Sequence, residues 1–460
     1  MKRLPLFLSL LILLLTACQS RDMTIVTSTP SAIERTSAPT RPVTATQLPP
    51  MPTTVPPPTE TGTPTITPTE TATPFPTYPP ATRIRSQCLE ILPELTAGFS
   101  IGIVVYGNGG LLNMADKNFV YLADNALFSV AISPDKTLMA YDQGAAIEQG
   151  QLVKQNLIIT NASGQRVFTI PWEEKWLKLL SWTNDQRLLL AYDEPITTTD
   201  GYPAQVSYLV LDPFSGEQQI LYPDYPHLLD LQIAPGWWGG VVFDPSLTRA
   251  IYGWRYVQDG EEMHTLALWD VEEQQLVATM EDYYEYYPVF KEETPLPRWS
   301  QDGSKFAFRG QFLASESDER VTIELYQADR EGQVEQLTHL GLATNYVPAR
   351  SFSWSPDGRY IATYLEDWYG TSETRVVLLD TKTQEVIDYC IPIGRNHPVF
   401  YPVEEILLSP IWSPDSTQFL VVDRYEKDHQ RVILVDIVQG FAAVIGEDVE
   451  PVGWMRSPQE

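Results

Sequence analysis

The chain has 460 residues, of which 59 are acidic and 31 basic, so its formal net charge at pH 7 is −28. An excess of acids this large argues against nucleic acid and against anionic membrane surfaces as partners. The three cysteines and five histidines show none of the spacings that zinc sites require, so no metal and no cofactor are predicted.

Residues 1–17 have the features of a secretion signal. A short basic start precedes an apolar run over residues 4–15, which is too short to span a bilayer and fits a signal-peptide core. The run ends in Leu15-Thr16-Ala17-Cys18, which resembles the cleavage box of bacterial lipoproteins. The resemblance implies lipid attachment to Cys18 and a place in the bacterial cell envelope, facing outside the cytoplasm. The alternative is an ordinary secretory signal followed by a chance cysteine.

Residues 18–85 are rich in threonine and proline, with repeated Thr-Pro-Thr units. Such a composition cannot bury enough apolar surface to offset the entropy of ordering, so we expect a disordered tether. Its prolines favour extended polyproline II, which would hold a folded head away from the membrane. The folded domain is predicted to occupy residues 86–460.

A strand–turn–strand pattern centred on Trp354-Ser355-Pro356-Asp357-Gly358 organises this domain. Pro356 presets φ for a turn, Asp357 can accept a hydrogen bond from its own backbone, and Gly358 tolerates a left-handed exit. Six hairpins share the pattern at intervals of 50 to 61 residues, starting at Ile132, Trp182, Phe243, Trp299, Trp354 and Trp412. Two further strand-like segments follow each hairpin. Four antiparallel strands in each repeat of this length are typical of a β-propeller blade.

The two ends of the domain supply one more blade. Three strand-like pieces, Ile101–Tyr106, Leu111–Met114 and Phe119–Leu122, precede the first hairpin, and Trp454 follows the last without a hairpin partner. We therefore expect the C-terminal strand to become the inner strand of a shared blade. The predicted fold is all-β: a seven-bladed β-propeller of four-stranded antiparallel blades, with one blade shared between the N- and C-terminal strands.

The repeated Trp-Ser-Pro-Asp-Gly hairpin resembles the repeat of TolB-type, or WD40-like PD40, β-propellers. The match is good at Trp354 and Trp299 and poor at Phe243. The resemblance implies a periplasmic or extracellular propeller that works as a binding scaffold. Such repeats also form the propellers of prolyl-oligopeptidase-like enzymes, but this chain lacks the Gly-x-Ser-x-Gly motif that their hydrolase domain needs.

The motif residues themselves are interpreted as core and turn residues, so no catalytic residue is assigned. With strands A to D counted from the centre outward, the B–C and D–A connections are long and lie on one face, where binding usually resides. These connections combine aromatic residues with acids, which suits sugar rings, cationic groups or basic peptides. The alternative is that they pack the connections against each other. The candidate ligand-binding residues are Trp237, Trp238, Tyr283, Tyr284, Tyr286, Tyr287, Trp368 and Tyr369.

Cys88 lies just before the propeller and Cys390 ends a fourth strand, and both would stand in an oxidising compartment. The hypothesis is a disulfide that fixes the N-terminal lead-in to a blade, and the alternative is two buried thiols.

Three functions remain open at this stage. The preferred one is a lipid-anchored, non-catalytic scaffold that binds a protein, peptide or glycan at the cell envelope and contacts the membrane only through its lipid. The alternative is a propeller-fold hydrolase or lyase acting on extracellular polysaccharide, and a third is a purely structural envelope protein.

Overall fold

The protein was examined as a computed structural model. It describes residues 80–95, 102–122, 127, 129–148, 151–172, 177–193, 206–221, 241–258, 261–280, 297–315, 318–342, 344, 346–349, 351–367, 374–394, 408–426 and 429–457. The proposed signal, Cys18 and the linker as far as residue 79 lie outside these residues. No helix within the described ranges is long and apolar enough to cross a membrane.

The regular secondary structure of the described chain is almost entirely β-strand. In chain order the strands are β1 (Ile84–Ser86), β2 (Ile91–Leu92), β3 (Ile103–Tyr106), β4 (Gly110–Asn113), β5 (Phe119–Tyr121), β6 (Val130–Ile132), β7 (Leu138–Glu148), β8 (Gln151–Asn161), β9 (Arg166–Trp172), β10 (Leu177–Trp182), β11 (Leu188–Asp193), β12 (Val206–Leu211), β13 (Gln218–Leu221), β14 (Val241–Phe243), β15 (Arg249–Gln258), β16 (Glu261–Asp270), β17 (Gln275–Thr279), β18 (Arg298–Trp299), β19 (Lys305–Ser315), β20 (Asp318–Asp329), β21 (Val334–Gln336), β22 (Tyr346–Pro348), β23 (Ser353–Trp354), β24 (Tyr360–Asp367), β25 (Thr374–Asp380), β26 (Glu385–Ile393), β27 (Ile411–Trp412), β28 (Gln418–Glu426), β29 (His429–Asp436), β30 (Phe441–Glu447) and β31 (Pro451–Met455). A short 3₁₀ helix, Leu340–Leu342, lies between β21 and β22.

These strands form seven sheets, and the predicted seven-bladed propeller is confirmed. Blades one to six have the inner-to-outer orders β6-β7-β8-β9, β10-β11-β12-β13, β14-β15-β16-β17, β18-β19-β20-β21, β23-β24-β25-β26 and β27-β28-β29-β30. Strand β22 also pairs with β24, beside the inner strand of blade five. All pairings inside the blades are antiparallel, as hairpin connections require.

The seventh blade has the order β31-β3-β4-β5, so the two ends of the domain share it as predicted. Strand β31 pairs antiparallel with β3, and Trp454 lies opposite Val104 in the register. Trp454 is buried in a cluster that joins this blade to Leu420 and Leu434 of blade six. A closed ring of this kind leaves no gap through which a blade could pair with another chain.

Apolar clusters between neighbouring blades form the core. The cluster around Trp354 joins Ala307 and Leu325 of blade four to Ile361 and Leu379 of blade five. Burial of each large side chain in such a cluster stabilises the fold by about 1.5–3 kcal/mol. Because these contacts run from blade to blade, they hold the ring together as well as each sheet.

An N-terminal belt, residues 80–95, follows the outside of the ring. Strand β1 pairs in parallel with β26, the outer strand of blade five, and β2 pairs in parallel with β30 of blade six. Thr82 Oγ1 accepts a hydrogen bond from His339 N at 2.6 Å, and Leu95 is buried in the cluster of blades six and seven. The belt starts before the predicted domain boundary at residue 86. The disulfide hypothesis predicted that this segment is attached to a blade, but not its two strands, since strands this short are held mainly by backbone hydrogen bonds to their neighbours.

Candidate functional site: the long-loop face and the channel

The face that carries the A–B and C–D turns, here called the turn face, is held by repeated hydrogen bonds. In blade five Ser355 Oγ lies 2.5 Å from Asp357 Oδ1, and Ser355 Oγ accepts from Tyr360 N at 2.9 Å. The same bonds recur with Ser133 in blade one, Ser300 in blade four and Ser413 in blade six. The motif residues are therefore turn residues, as the sequence indicated.

The motif tryptophans join each blade to the one before it. Trp354 Nε1 donates to the main-chain oxygen of Arg298 at 2.9 Å, and Trp412 Nε1 donates to that of Ser353 at 3.2 Å. Trp182 and Trp299 make the equivalent bonds to the preceding blade. A buried indole N–H needs a partner, so each of these bonds fixes the spacing of two inner strands.

Contacts between different blades also constrict the channel at the turn face. The amide nitrogen of Gln301 in blade four donates to the main-chain oxygen of Pro134 in blade one at 3.2 Å, across the centre of the ring. Neighbouring turns are bridged as well, because Asn184 N donates to Pro245 O at 2.8 Å and Asp357 N donates to Ser416 Oγ at 3.0 Å. This end of the channel is therefore partly closed.

The opposite face, here called the long-loop face, carries extended hairpins. The paired ladders of β7–β8, β15–β16, β19–β20 and β28–β29 reach Glu148–Gln151, Gln258–Glu261, Ser315–Asp318 and Glu426–His429. In blade four the inner strand has 2 residues whereas β19 and β20 have 11 and 12. The ladder continues six residues beyond the buried Arg309, which corresponds to about 20 Å of extended strand.

The sequence predicts long loops for the B–C connections of blades three and four, residues 255–263 and 310–320, but both are mostly strand. These ladders are defined by the pairing of their backbones, which no local sequence pattern had to specify. A signal was present nevertheless, since Asp259-Gly260 separates β15 from β16 and is a dipeptide typical of tight hairpin turns.

The eight aromatic residues predicted to bind ligand all fall outside the described residues. They are Trp237, Trp238, Tyr283, Tyr284, Tyr286, Tyr287, Trp368 and Tyr369. Their role as a ligand surface stays a prediction.

Many described acids have structural partners on the turn face. An aspartate ends or directly follows strand C in five blades, and its carboxylate accepts hydrogen bonds from main-chain N–H groups of the C–D turn. These residues are Asp212, Asp270, Asp329, Asp380 and Asp436. The hydrogen bond from Phe214 N is the largest influence that lowers the pKa of Asp212. Such carboxylates stabilise turns.

Acids nearer the long-loop face are held in the same way. Asp423 Oδ2 lies 2.9 Å from Arg431, and its Oδ1 accepts from Gly394 N at 2.8 Å. Asp388 is paired with Arg375 at 3.2 Å and accepts from Cys390 N at 2.7 Å. Asp423 therefore fixes the start of the connection that follows β26, and Asp388 holds β25 to β26 within blade five.

The carboxylate of Glu324, on β20, is fully buried and fixes the start of the 3₁₀ helix. It accepts hydrogen bonds from Thr338 Oγ1, Leu340 N and Gly341 N at 2.6, 2.9 and 2.8 Å. Burial raises the pKa of Glu324, and these donated bonds oppose the shift. All three partners donate, which is the environment of an ionised carboxylate with a structural role.

Metal-ligating side chains are sparse in the described structure. No group of three or more histidine, cysteine, aspartate or glutamate side chains there is placed to hold a metal ion. His429 and Asp448 form an exposed pair at 3.2 Å on the long-loop side of blade six. Such an exposed pair does not by itself define a site.

Cys88 and Cys390 meet at the belt. A disulfide joins Cys88 to Cys390, whose Cα atoms are 4.8 Å apart and whose positions differ by 302 in sequence. Gln87 N and Leu89 N donate to the main-chain oxygens of Asp388 and Tyr389 at 2.8 and 3.1 Å, so backbone hydrogen bonds flank the crosslink on both sides. The belt is thereby fixed to the outer edge of blade five.

The inner strands carry a feature that the sequence analysis did not single out. The charged residues of the described inner strands are Lys178 on β10 and Arg298 on β18, and both are cations. Burial lowers the pKa of both side chains, and for Lys178 the nearby carboxylate of Asp142 opposes the shift. The sequence did offer a signal for Arg298, because it directly precedes the motif residue Trp299 in a strand predicted to be innermost.

No protein-family model and no curated protein matches the chain. Solved structures match it over most of its length. TolB from Acinetobacter baumannii is 15% identical, with 77% of this chain and 82% of that chain covered and a TM-score of 0.40. Oligogalacturonate lyase from Vibrio parahaemolyticus is 12% identical over 76% and 80%, with a TM-score of 0.42. The periplasmic gluconolactonase of Pseudomonas aeruginosa is 15% identical over 80% and 97%, with a TM-score of 0.40. Matches this distant say nothing about the ligand or activity of this chain. The propeller fold is assigned from the order of the strands within its seven sheets.

Proposed function

We propose that the protein is a binding scaffold of the bacterial cell envelope, anchored through lipid on Cys18 and carrying its propeller on the 18–85 tether. It engages a protein, peptide or glycan through the long-loop face. The lipoprotein box at Leu15-Thr16-Ala17-Cys18 supports the anchor. The disulfide between Cys88 and Cys390 supports an oxidising compartment outside the cytoplasm.

The observation that carries the proposal is the difference between the two faces. Short turns on the turn face are bonded to one another across blade boundaries, which leaves their polar groups occupied. The long-loop face carries extended hairpins and long connections whose lengths differ from blade to blade. Variable segments on a rigid scaffold are where binding sites usually form.

The face is tested by binding of the full-length protein to glycan and peptide arrays. We expect Trp237→Ala, Trp238→Ala or Trp368→Ala to weaken binding of any captured ligand by about tenfold or more, because an aromatic anchor at the centre of an interface contributes about 2 kcal/mol. The matched control is Phe214→Ala, which removes a half-exposed aromatic side chain from a C–D turn on the turn face. Equal binding by all four variants would reject the long-loop face as the site.

The anchor is tested separately. Cys18→Ser should move the protein from the membrane fraction to the soluble fraction of a bacterial host, because the lipid is its only proposed membrane contact. Retention of the variant in the membrane fraction would contradict lipid anchoring at Cys18.

A further inference from the structure

The described inner strands carry the charge opposite to that of the chain as a whole. The chain has 59 acidic and 31 basic residues, yet Lys178 and Arg298 are the charged residues on the described parts of β6, β10, β14, β18, β23, β27 and β31. The innermost strands of a propeller surround its central channel. The wall of this channel is therefore locally cationic in a strongly acidic protein.

Arg298 differs from the residues at the same position of the other blades. It lies immediately before the motif residue Trp299, where the other blades have Ala131, Ser181, Val242, Ser353, Ile411 and Gly453. At this position the backbone makes the contact that holds neighbouring blades together, since the main-chain oxygen of Arg298 accepts the indole hydrogen bond of Trp354 at 2.9 Å. Small and apolar residues perform that task elsewhere in the ring, so the blade itself does not require a guanidinium.

The guanidinium of Arg298 has no hydrogen-bond or ion-pair partner among the residues that the structure describes. The side chain is exposed to solvent although it belongs to an innermost strand, which places it against the channel. Burial by the surrounding blades lowers its pKa, and no described carboxylate opposes that shift. Lys178 differs in this respect, because Asp142 lies close enough to raise its pKa.

The channel is constricted just beyond Arg298 on the turn-face side. Gln301, three residues further along the chain, reaches across the ring to the main-chain oxygen of Pro134 at 3.2 Å. Arg298 therefore lies near the end of the channel that Gln301 constricts, here called the floor of the channel. Because one glutamine side chain bridges opposite turns at this floor, the space suits a small molecule better than a polypeptide segment.

From this placement we propose that the floor of the channel is a binding site for a small oxyanion, either a carboxylate or a phosphate, with Arg298 as its main ligand. A guanidinium offers five N–H donors in a planar fork that matches two oxygens of such an anion. Charge-assisted hydrogen bonds of this kind are stronger than neutral ones, and partial enclosure by the blades reduces screening by water. The site is distinct from the proposed aromatic surface on the long-loop face.

Calorimetric titration of the full-length protein tests the proposal, with succinate, inorganic phosphate and uncharged succinamide as probes. Tryptophan fluorescence is a second readout, since Trp299 and Trp354 adjoin Arg298. We expect at least one of the two anions to bind with a Kd below about 10 mM, and succinamide to bind no more than a tenth as well. Preference for succinate identifies a carboxylate ligand, and preference for phosphate identifies a phosphate ligand.

Substitutions of Arg298 test whether this residue forms the anion site. Arg298→Gln should weaken anion binding about tenfold or more, whereas Arg298→Lys should retain part of it because the charge remains without the fork. The matched control Arg187→Gln removes the same charge from an A–B turn, where Arg187 pairs with Asp185, and should bind as the wild type does. If Arg298→Gln does not fold, Arg298→Lys against Arg187→Gln provides the comparison. Absence of anion binding, or equal affinity of the folded Arg298 variants and the wild type, would overturn the proposal.

Discussion

The third and fifth blades close the same turn with different side chains. In blade five Tyr360 N donates to the hydroxyl of Ser355 at 2.9 Å, and in blade three Arg249 N donates to the carboxylate of Asp244 at 2.7 Å. Asp244 has taken the place of the serine, and the carboxylate is fully buried. A buried carboxylate needs a counter-charge, and Arg330 of blade four supplies it at 2.8 Å.

The two blades differ in other respects as well. Blade five has an indole donor, Trp354, whereas blade three has Phe243, which cannot donate a hydrogen bond to its neighbour. The outer strand of blade five is covered by β1 and crosslinked through Cys390, while the described sheet of blade three ends at β17. The comparison shows that the repeat is a backbone geometry, which either a serine hydroxyl or a buried aspartate paired with an arginine can hold.

The largest expected effect comes from removing the counter-charge of blade three. Arg330→Met should lower the free energy of unfolding by about 3–5 kcal/mol, because it leaves Asp244 buried without its partner. Adding Asp244→Ser should recover much of this loss, since it gives blade three the serine turn of blade five. Chemical denaturation of the two single variants and the double variant measures the coupling.

Arg187→Met is the control for this experiment. Its partner Asp185 is 56% exposed, so the loss should stay below about 1 kcal/mol. If Arg330→Met costs no more than the control, the ion pair does not compensate for the missing serine.

Removing the disulfide of the belt should destabilise the protein less than removing Arg330, and its local effect on hydrogen exchange should be confined to blades five and six. Cys88→Ser with Cys390→Ser should lower the free energy of unfolding by about 2–4 kcal/mol, because the crosslink no longer restricts the unfolded chain. Hydrogen exchange should become faster at the amides of β1 and β26 and stay unchanged in β17 of blade three. Equal acceleration in both blades would show that the belt stabilises the whole ring rather than one edge.

The smallest expected effect concerns the left-handed residue that ends each turn. It is Gly358 in blade five with φ +68°, Leu247 in blade three with φ 59° and Gln186 in blade two with φ 64°. Gly358→Ala should cost about 1 kcal/mol through backbone strain alone, since nothing lies within 4 Å of the added Cβ.

Gln186→Gly should have the opposite effect and raise the free energy of unfolding by up to about 1 kcal/mol, because it removes the strain of a side chain on a left-handed backbone. Leu247→Gly should be near neutral, since the relief is offset by lost packing against the cluster of blades two and three. Urea denaturation of the three variants gives the comparison, and a stabilising Gly358→Ala would contradict the role assigned to this position.

The number of blades and the closure of the ring followed from the sequence because each depends on a local signal repeated along the chain. The turn of Trp354-Ser355-Pro356-Asp357-Gly358 is specified by neighbouring residues, and a period of 50 to 61 residues counts the units. Trp454, without a hairpin after it, identified the shared blade. The tertiary structure decided what depends on residues far apart in sequence: the parallel pairing of the belt, the Asp244–Arg330 ion pair between blades and the exposure of Arg298 to the channel. These features have no local pattern, because each requires the ring to bring distant strands into contact.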